Sequence, residues 1–85
     1  MENKLKKITK DNPIFISYDE AMGDAVGMEY VVLNKIVGPQ NLKWQLVSQR
    51  LLEHNNKTMD CLKIFVKETN SEEEIFFDIS EFFSK

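Results

Sequence analysis

The feature that most constrains the fold is the alternation of apolar and polar residues through positions 62–80 of this 85-residue chain. The apolar residues occupy every second position, pause at Thr69-Asn70-Ser71, and then resume. A period of two is typical of β-strands that bury one face. The sequence therefore predicts a β-hairpin with a tight turn at Asn70-Ser71.

A two-residue turn at this point fixes which residues of the two strands face each other. The predicted pairs on one face are Leu62 with Ile79, Ile64 with Phe77, and Val66 with Ile75. The predicted pairs on the other face are Lys63 with Asp78, Phe65 with Phe76, and Lys67 with Glu74. One face is then wholly apolar, and the other carries an aromatic pair between two ion pairs. Such cross-strand pairs each stabilise a sheet by about 0.2–1 kcal/mol.

Two further turns extend the predicted sheet toward the N-terminus. Asn55-Asn56 suits a two-residue hairpin loop because asparagine tolerates positive φ, and residues 38–41 (GPQN) supply the next turn. The first of these turns would pair Leu52 with Met59, Leu46 with Phe65, and Val47 with Ile64. We therefore expect an α+β fold whose sheet is an antiparallel meander of about four strands, at about 29–37, 42–53, 58–68 and 73–79.

The segment 41–54 has an alternative interpretation as a helix that begins at Asn41, which would leave a smaller sheet. In that helix Leu42 and Leu46 would point away from Trp44 and the other apolar residues of the segment. The alternation of apolar and polar residues through 42–46 favours the strand.

One short helix is predicted over residues 18–26, packed on one face of the sheet. Ser17 is a suitable N-cap, and Glu20 three positions later completes a capping box. Gly27 can end this helix in the left-handed conformation. Residues 13–16 before it are expected to be extended.

The two ends of the chain differ in character. Residues 1–12 are polar and rich in lysine, which predicts a flexible arm before a single domain at 13–85. The C-terminal Phe82-Phe83 is expected to lie in one helical turn and to fold back onto the core.

Composition excludes several classes of protein. The net charge of −3 and the pI near 5.1 disfavour binding to nucleic acid, which favours a basic surface. Cys61 is the only cysteine, so the chain can form neither an internal disulfide nor a cysteine-based zinc site. The sequence shows no signal peptide and no apolar run of roughly 18 residues. We therefore expect a soluble cytoplasmic protein that does not enter membranes.

The residue types that carry chemistry form no recognisable motif. His54 is the only histidine and lies beside the Asn55-Asn56 turn, where polar surface is the expected role. Cys61 lies within a predicted strand and is expected to be a small buried apolar group. The run 72–74 (EEE) lacks the spacing of a calcium loop. The sequence predicts no enzyme, no cofactor and no metal site.

The predicted helix can cover only one face of the predicted sheet. The residues expected on the uncovered face include the candidate interaction surface, which consists of Trp44, Leu46, Phe65, Phe76, Lys63 and Lys67, and also Val31 and Leu33. Left bare, these side chains would exceed the few hundred Å² of contiguous apolar surface that a monomer normally exposes. We expect either the N-terminal arm or the Phe82-Phe83 tail to cover them, or a protein partner to do so.

Together, these features predict that the protein is an interaction module that forms a homodimer or binds an unidentified protein partner. A second interpretation is single-stranded nucleic-acid binding, with aromatic rings stacked on bases and lysines beside phosphates. Glu74 and Asp78 lie opposite those lysines and the chain is acidic, so this second interpretation is disfavoured.

Overall fold

The structure, a computed structural model, describes residues 4–83 and has a four-stranded sheet with helices on one side. The strands are β1 (Ile14–Phe15), β2 (Trp44–His54), β3 (Lys57–Val66) and β4 (Ser71–Asp78). The α-helices are α1 (Tyr18–Ala21) and α2 (Ala25–Ile36), and single 3-10 turns lie at Lys4–Lys7 and Ser80–Phe82. The strand order is β1-β4-β3-β2, in which β1 is parallel to β4 and the other pairs are antiparallel. The predicted α+β class is confirmed.

The β3–β4 hairpin keeps the predicted faces but has a different register. Its loop spans four residues, 67–70, with Asn70 in the left-handed conformation at φ 53°. Leu62 therefore pairs with Ile75, four positions from the predicted Ile79. Because the shift is an even number of residues, the apolar residues of both strands still line one common face.

The pairs predicted for the opposite face are wrong. Phe65 lies opposite Glu72, and Phe76 lies opposite Cys61. The observed partners of the two lysines follow from the same shift: Lys63 pairs with Glu74, and Lys67 lies in the loop. These pairs differ because the loop has four residues instead of two. Both loop lengths preserve the same alternation of apolar residues, so the alternation cannot distinguish them.

The β2–β3 hairpin confirms the strand interpretation of this segment, and the helix over 41–54 is wrong. Asn55 and Asn56 form the predicted turn with φ of 53° and 64°. Leu52 pairs with Met59 as predicted. A β-bulge at Val47 then shifts the register by one residue, so that Leu46 pairs with Ile64 instead of Phe65. A one-residue shift moves every earlier side chain of β2 to the other face.

The strand predicted at 29–37 is wrong, because these residues belong to helix α2. Ser17 caps α1 as predicted and accepts a hydrogen bond from Glu20 N, but this helix ends at Met22, which is left-handed at φ 53°. Asp24 then caps α2 by accepting a hydrogen bond from Gly27 N at 2.9 Å. Gly27 therefore lies in the first turn of α2 and does not end a helix. The fourth strand is β1, within the segment expected to be extended.

The core lies between α2 and one face of the sheet. Trp44 is 0% exposed there, and its indole Nε1 donates a hydrogen bond to the carbonyl oxygen of Gly38 at 2.9 Å. The ring of Tyr30 contacts the Trp44 ring edge-on, with 5.6 Å between centroids. The other buried apolar residues of this core include Leu5, Ile16, Leu33, Leu62, Ile64, Val66, Ile75, Phe77 and Ile79.

Both ends of the described chain contribute to this core. Leu5 lies in the segment predicted to be a polar arm, yet its side chain is buried. Phe82 packs against the core from the C-terminal 3-10 turn, as expected for the tail. Neither helix in residues 4–83 has the length and apolar character that crossing a membrane requires.

Candidate functional site

The six residues of the candidate interaction surface do not share a face. Trp44 and Leu46 point into the core because of the bulge at Val47. Three residues of the set point to the opposite face, namely Lys63, Phe65 and Phe76. Lys67 lies in the loop between β3 and β4. The arrangement of three adjacent aromatic rings is therefore wrong, and with it the geometry that suggested stacking on nucleic-acid bases. A role for Phe65 and Phe76 in binding a partner stays a prediction.

The face opposite the core carries a polar cluster instead. The guanidinium of Arg50 donates to the carboxylate of Glu74 at 3.1 Å, and the thiol of Cys61 lies 3.6 Å from the same oxygen. Burial, followed by the negative charge of Glu74, raises the pKa of Cys61 to about 11. Cys61 is buried, as expected, and its thiol is protonated at neutral pH, so this cluster holds no reactive thiolate.

His54 connects the β2–β3 turn to the N-terminal segment. Its Nε2 lies 2.6 Å from the carboxylate of Asp11, and the side chain of Asn55 donates to the same oxygen at 3.3 Å. The hydrogen bond from His54 lowers the pKa of Asp11. This contact lies at the surface, so we interpret it as a structural link between the turn and the N-terminal segment.

Two carboxyl groups meet in the interior between α2 and the sheet. Glu29 on α2 is 0% exposed and Asp60 on β3 is 2% exposed. Asp60 points to the core because it alternates with Leu62 on β3. Its Oδ2 accepts a hydrogen bond from the side-chain amide of Gln49 at 2.6 Å. Within the described part of the chain, no donor reaches its Oδ1 or either oxygen of Glu29.

One proton resolves the conflict between these two acids. Burial raises the pKa of Glu29 to about 9, and the hydrogen bond to Asp60 and the charges of Asp60 and Asp24 act in the same direction. At neutral pH Glu29 is therefore protonated, and its hydroxyl can donate to the Asp60 carboxylate. The pair then carries a single negative charge inside a largely apolar region.

A cleft of about 350 Å³ opens beside Asp60. Three elements form it: the start of α2, the middle of β2 and the C-terminal turn. Its apolar lining residues are Ala25, Val26, Leu51, Ile79, Phe82 and Phe83. Asp60 and Gln49 are polar groups on its lining. The buried charge thus borders a mostly apolar space that is open to solvent.

Hydrogen bonds fix the C-terminal turn that forms one wall of this cleft. The hydroxyl of Ser80 donates to the buried carboxylate of Asp78 at 2.6 Å and accepts from Thr58 N at 2.9 Å. Glu81 accepts a hydrogen bond from Tyr18 N at 3.0 Å. The ring of Phe82 lies 5.1 Å from the Tyr18 ring. The wall is therefore held by β3, β4 and α1.

The donor set of the cleft limits its chemistry. In residues 4–83 no three histidine, cysteine, aspartate or glutamate side chains are grouped as metal ligands would be. The pair Glu29–Asp60 offers one negative charge and one exchangeable proton. Such a pair can neutralise a cationic group or exchange a proton with a bound molecule.

The sequence contains a signal for each member of this pair, but the strand predicted over residues 29–37 conceals the pair. Glu29 falls within the strand predicted at 29–37, but in a helix it lies four residues from both Ala25 and Leu33 and so shares their face toward the sheet. Asp60 occupies the position of an apolar residue in the alternation that includes Leu62. A charged residue such as Asp60 at a position that the pattern reserves for apolar side chains indicates a buried polar site.

Comparison of the chain with protein-family models, with curated proteins and with solved structures gives no match.

Proposed function

We propose that this protein is an interaction module that associates through the free edge of β2, and that its partner is a second copy of the chain. The observation that supports this proposal is the position of the 11-residue strand β2 at the edge of the sheet, where β3 is its only neighbouring strand in the described part of the chain. A bridge between Gln40 and Trp44 occupies the start of the outer edge, and no other described segment pairs with the remainder.

The free edge has few of the features that prevent strand pairing. Natural edge strands are usually short, or carry lysine, proline or bulges that block association. β2 is long, has no proline or lysine, and has one bulge at Val47 near its start. Val47 and Leu51 are 47% and 61% exposed, so the strand also presents apolar surface.

The sequence of β2 is compatible with pairing to itself. In a symmetric antiparallel pair with Leu51 opposite its own copy, Gln49 lies opposite Glu53, and Arg50 lies opposite Leu52 of the second copy. Each pair shares one sheet face, as antiparallel pairing about a two-fold axis perpendicular to the sheet requires. The two leucines would then bury each other, and the amide of Gln49 could donate to the carboxylate of Glu53.

We place the contact at this edge rather than on the face around Phe65 and Phe76. These two rings are partly buried and are not cross-strand partners, so they form a weaker contact surface than Leu51 and the open backbone of β2. A heterologous protein strand could use the same edge, because strand addition depends mainly on backbone hydrogen bonds.

A binding role rather than catalysis also fits the cleft. None of its lining residues is a serine, cysteine or histidine that could act as a nucleophile beside the carboxyl pair. We infer a cytoplasmic location as well, since the chain has a single cysteine and therefore no internal disulfide.

Sedimentation equilibrium of the full chain tests the proposal. Leu51→Lys and Leu51→Glu each place two like charges across the two-fold axis, so each variant should weaken dimerisation about tenfold or more. An equimolar mixture of the two variants should restore association, because the axis then joins lysine to glutamate. Val31→Lys is the matched control, since Val31 is an exposed apolar residue on α2.

Two results would contradict the proposal. A wild-type protein that stays monomeric up to millimolar concentration excludes self-association as its function. A dimer that all the variants leave unchanged, or a mixture without recovery, excludes the Leu51-centred pairing of β2.

A further inference from the structure

We propose that the cleft beside Asp60 binds an organic ammonium ion, with its charge against the Asp60–Glu29 pair and its apolar body between Leu51 and the Phe82-Phe83 turn. Two independent observations support this inference. One is a buried acid that no positively charged side chain within residues 4–83 neutralises, and the other is the apolar cleft on which that acid borders.

The charge of the pair has no cationic partner in the described structure. The carboxylate of Asp60 accepts a hydrogen bond at Oδ2 from the side chain of Gln49, which is neutral. Its Oδ1 has no donor in residues 4–83 other than the proton that Glu29 can supply. Arg50 also borders the cleft, but its guanidinium binds Glu74 on the opposite face of the sheet at 3.1 Å. Burying a carboxylate without a cation is costly, so a cationic ligand would gain from this site.

The shape and lining of the cleft select the kind of cation. A volume of about 350 Å³ with apolar walls accommodates a small organic body, which a hydrated inorganic ion would not fill. The rings of Phe82 and Phe83 also lie in the wall, where a cation can interact with an aromatic face. With only two carboxyl groups, the site is short of the ligand number that a divalent metal requires.

This inference shares Leu51 with the proposed strand pairing at β2 but does not rest on that pairing, because the two carboxyl groups that would bind the cation lie on β3 and α2. A protein that remains monomeric and still binds the ammonium ion would overturn the proposed function alone. A protein that dimerises through β2 but binds the ammonium ion no better than its neutral isostere would overturn the inference alone.

Titration of the ¹⁵N-labelled full chain by NMR tests the inference, with 2-phenylethylammonium as the probe. The neutral isostere 2-phenylethanol and the anion 3-phenylpropionate are the matched control ligands. We expect the ammonium ion to bind about tenfold or more tightly than the alcohol, and the anion not to bind, because only the cation gains from the buried charge. The backbone amides of Val26 and Leu51 and the side-chain amide of Gln49 should shift.

The variant Asp60→Asn keeps the shape of the side chain and removes its charge. It should bind ammonium and alcohol with equal affinity, whereas the control Glu72→Gln, which removes an exposed carboxylate on the opposite face, should keep the wild-type preference. If Asp60→Asn does not fold, the comparison of the three probes on the wild-type protein decides. Equal affinity for ammonium and alcohol, shifts confined to other surfaces, or binding of none of the probes would overturn the inference. Capture of a partner protein's lysine side chain, with no response to the small ammonium ion, would also overturn it.

Discussion

Glu29 on α2 and Asp60 on β3 bring their carboxyl groups together in the interior, where Glu29 is fully buried and Asp60 is 2% exposed. A helix and a strand thus each contribute one acid to the same point of the core. Because one proton must be shared for both groups to remain there, the stability of the fold depends on pH.

Glu29→Gln tests this dependence. The pKa of Glu29 is raised from 4.5 to about 9 in the folded state, since burial, Asp60 and Asp24 all disfavour its charge. The folded state therefore holds a proton that the unfolded state releases above pH 4.5. The free energy of unfolding should fall by about 1 kcal/mol per pH unit as the pH rises toward 9, and then level off. Glutamine cannot ionise, so the variant should lack this decline.

Urea denaturation between pH 6 and pH 9 measures the difference between the two proteins. We expect Glu29→Gln to become progressively more stable than the wild type across this range, since its amide can still donate to Asp60. Glu20→Gln, an exposed change on α1, is the control and should follow the wild-type profile. Parallel profiles for wild type and Glu29→Gln would show that Glu29 is not protonated in the folded protein.

Trp44→Phe should destabilise the fold by about 2–4 kcal/mol. The change removes the hydrogen bond from Nε1 to the Gly38 carbonyl, leaves that oxygen without its donor, and opens a cavity in the core. Chemical denaturation followed by circular dichroism measures the loss. Phe83→Leu is the control for loss of an aromatic ring at a more exposed position and should cost less. An equal effect of the two substitutions would contradict the central role of Trp44.

The register of the sheet illustrates what the sequence could and could not predict. The alternation through β3 and β4 was sufficient to predict two strands and their apolar faces, because side-chain direction depends only on whether a position is odd or even. It did not predict the register, because loops of two and four residues preserve the same alternation. The bulge at Val47 leaves no mark in the pattern of β2, so the position of Trp44 in the core could not be predicted from it.

Helix α2 was missed for a different reason. Its central residues 30–33 (YVVL) are β-branched or aromatic for the most part, and such residues favour strands in isolation. Tertiary packing decides against that preference, because Ala25, Glu29 and Leu33 recur every four residues and face the sheet as a helix. The carboxyl pair was missed as a direct consequence, since Glu29 had no predicted position near Asp60.

Asp24→Ala tests the start of this helix. Asp24 accepts a hydrogen bond from Gly27 N at 2.9 Å and favours the positive end of the α2 dipole. Its loss should lower the free energy of unfolding by about 1 kcal/mol. Asp19→Ala removes an exposed carboxylate that makes no capping hydrogen bond in α1. It should lower the free energy of unfolding by only about 0.3 kcal/mol. Thermal and urea denaturation of both variants measure the contrast, and equal losses would show that Asp24 is not the cap.

Cys61 should react slowly with a thiol reagent while the protein is folded. Its side chain is buried, and burial together with Glu74 raises its pKa to about 11, so at pH 8 less than about 1% is the reactive thiolate. Labelling with Ellman's reagent should therefore proceed only through opening of the sheet and should accelerate when urea is added. The same chain in guanidinium chloride is the control and should react at the rate of a free thiol. Rapid labelling of the native protein would mean that Cys61 is accessible beside Glu74, and that the polar cluster on this face holds a reactive group after all.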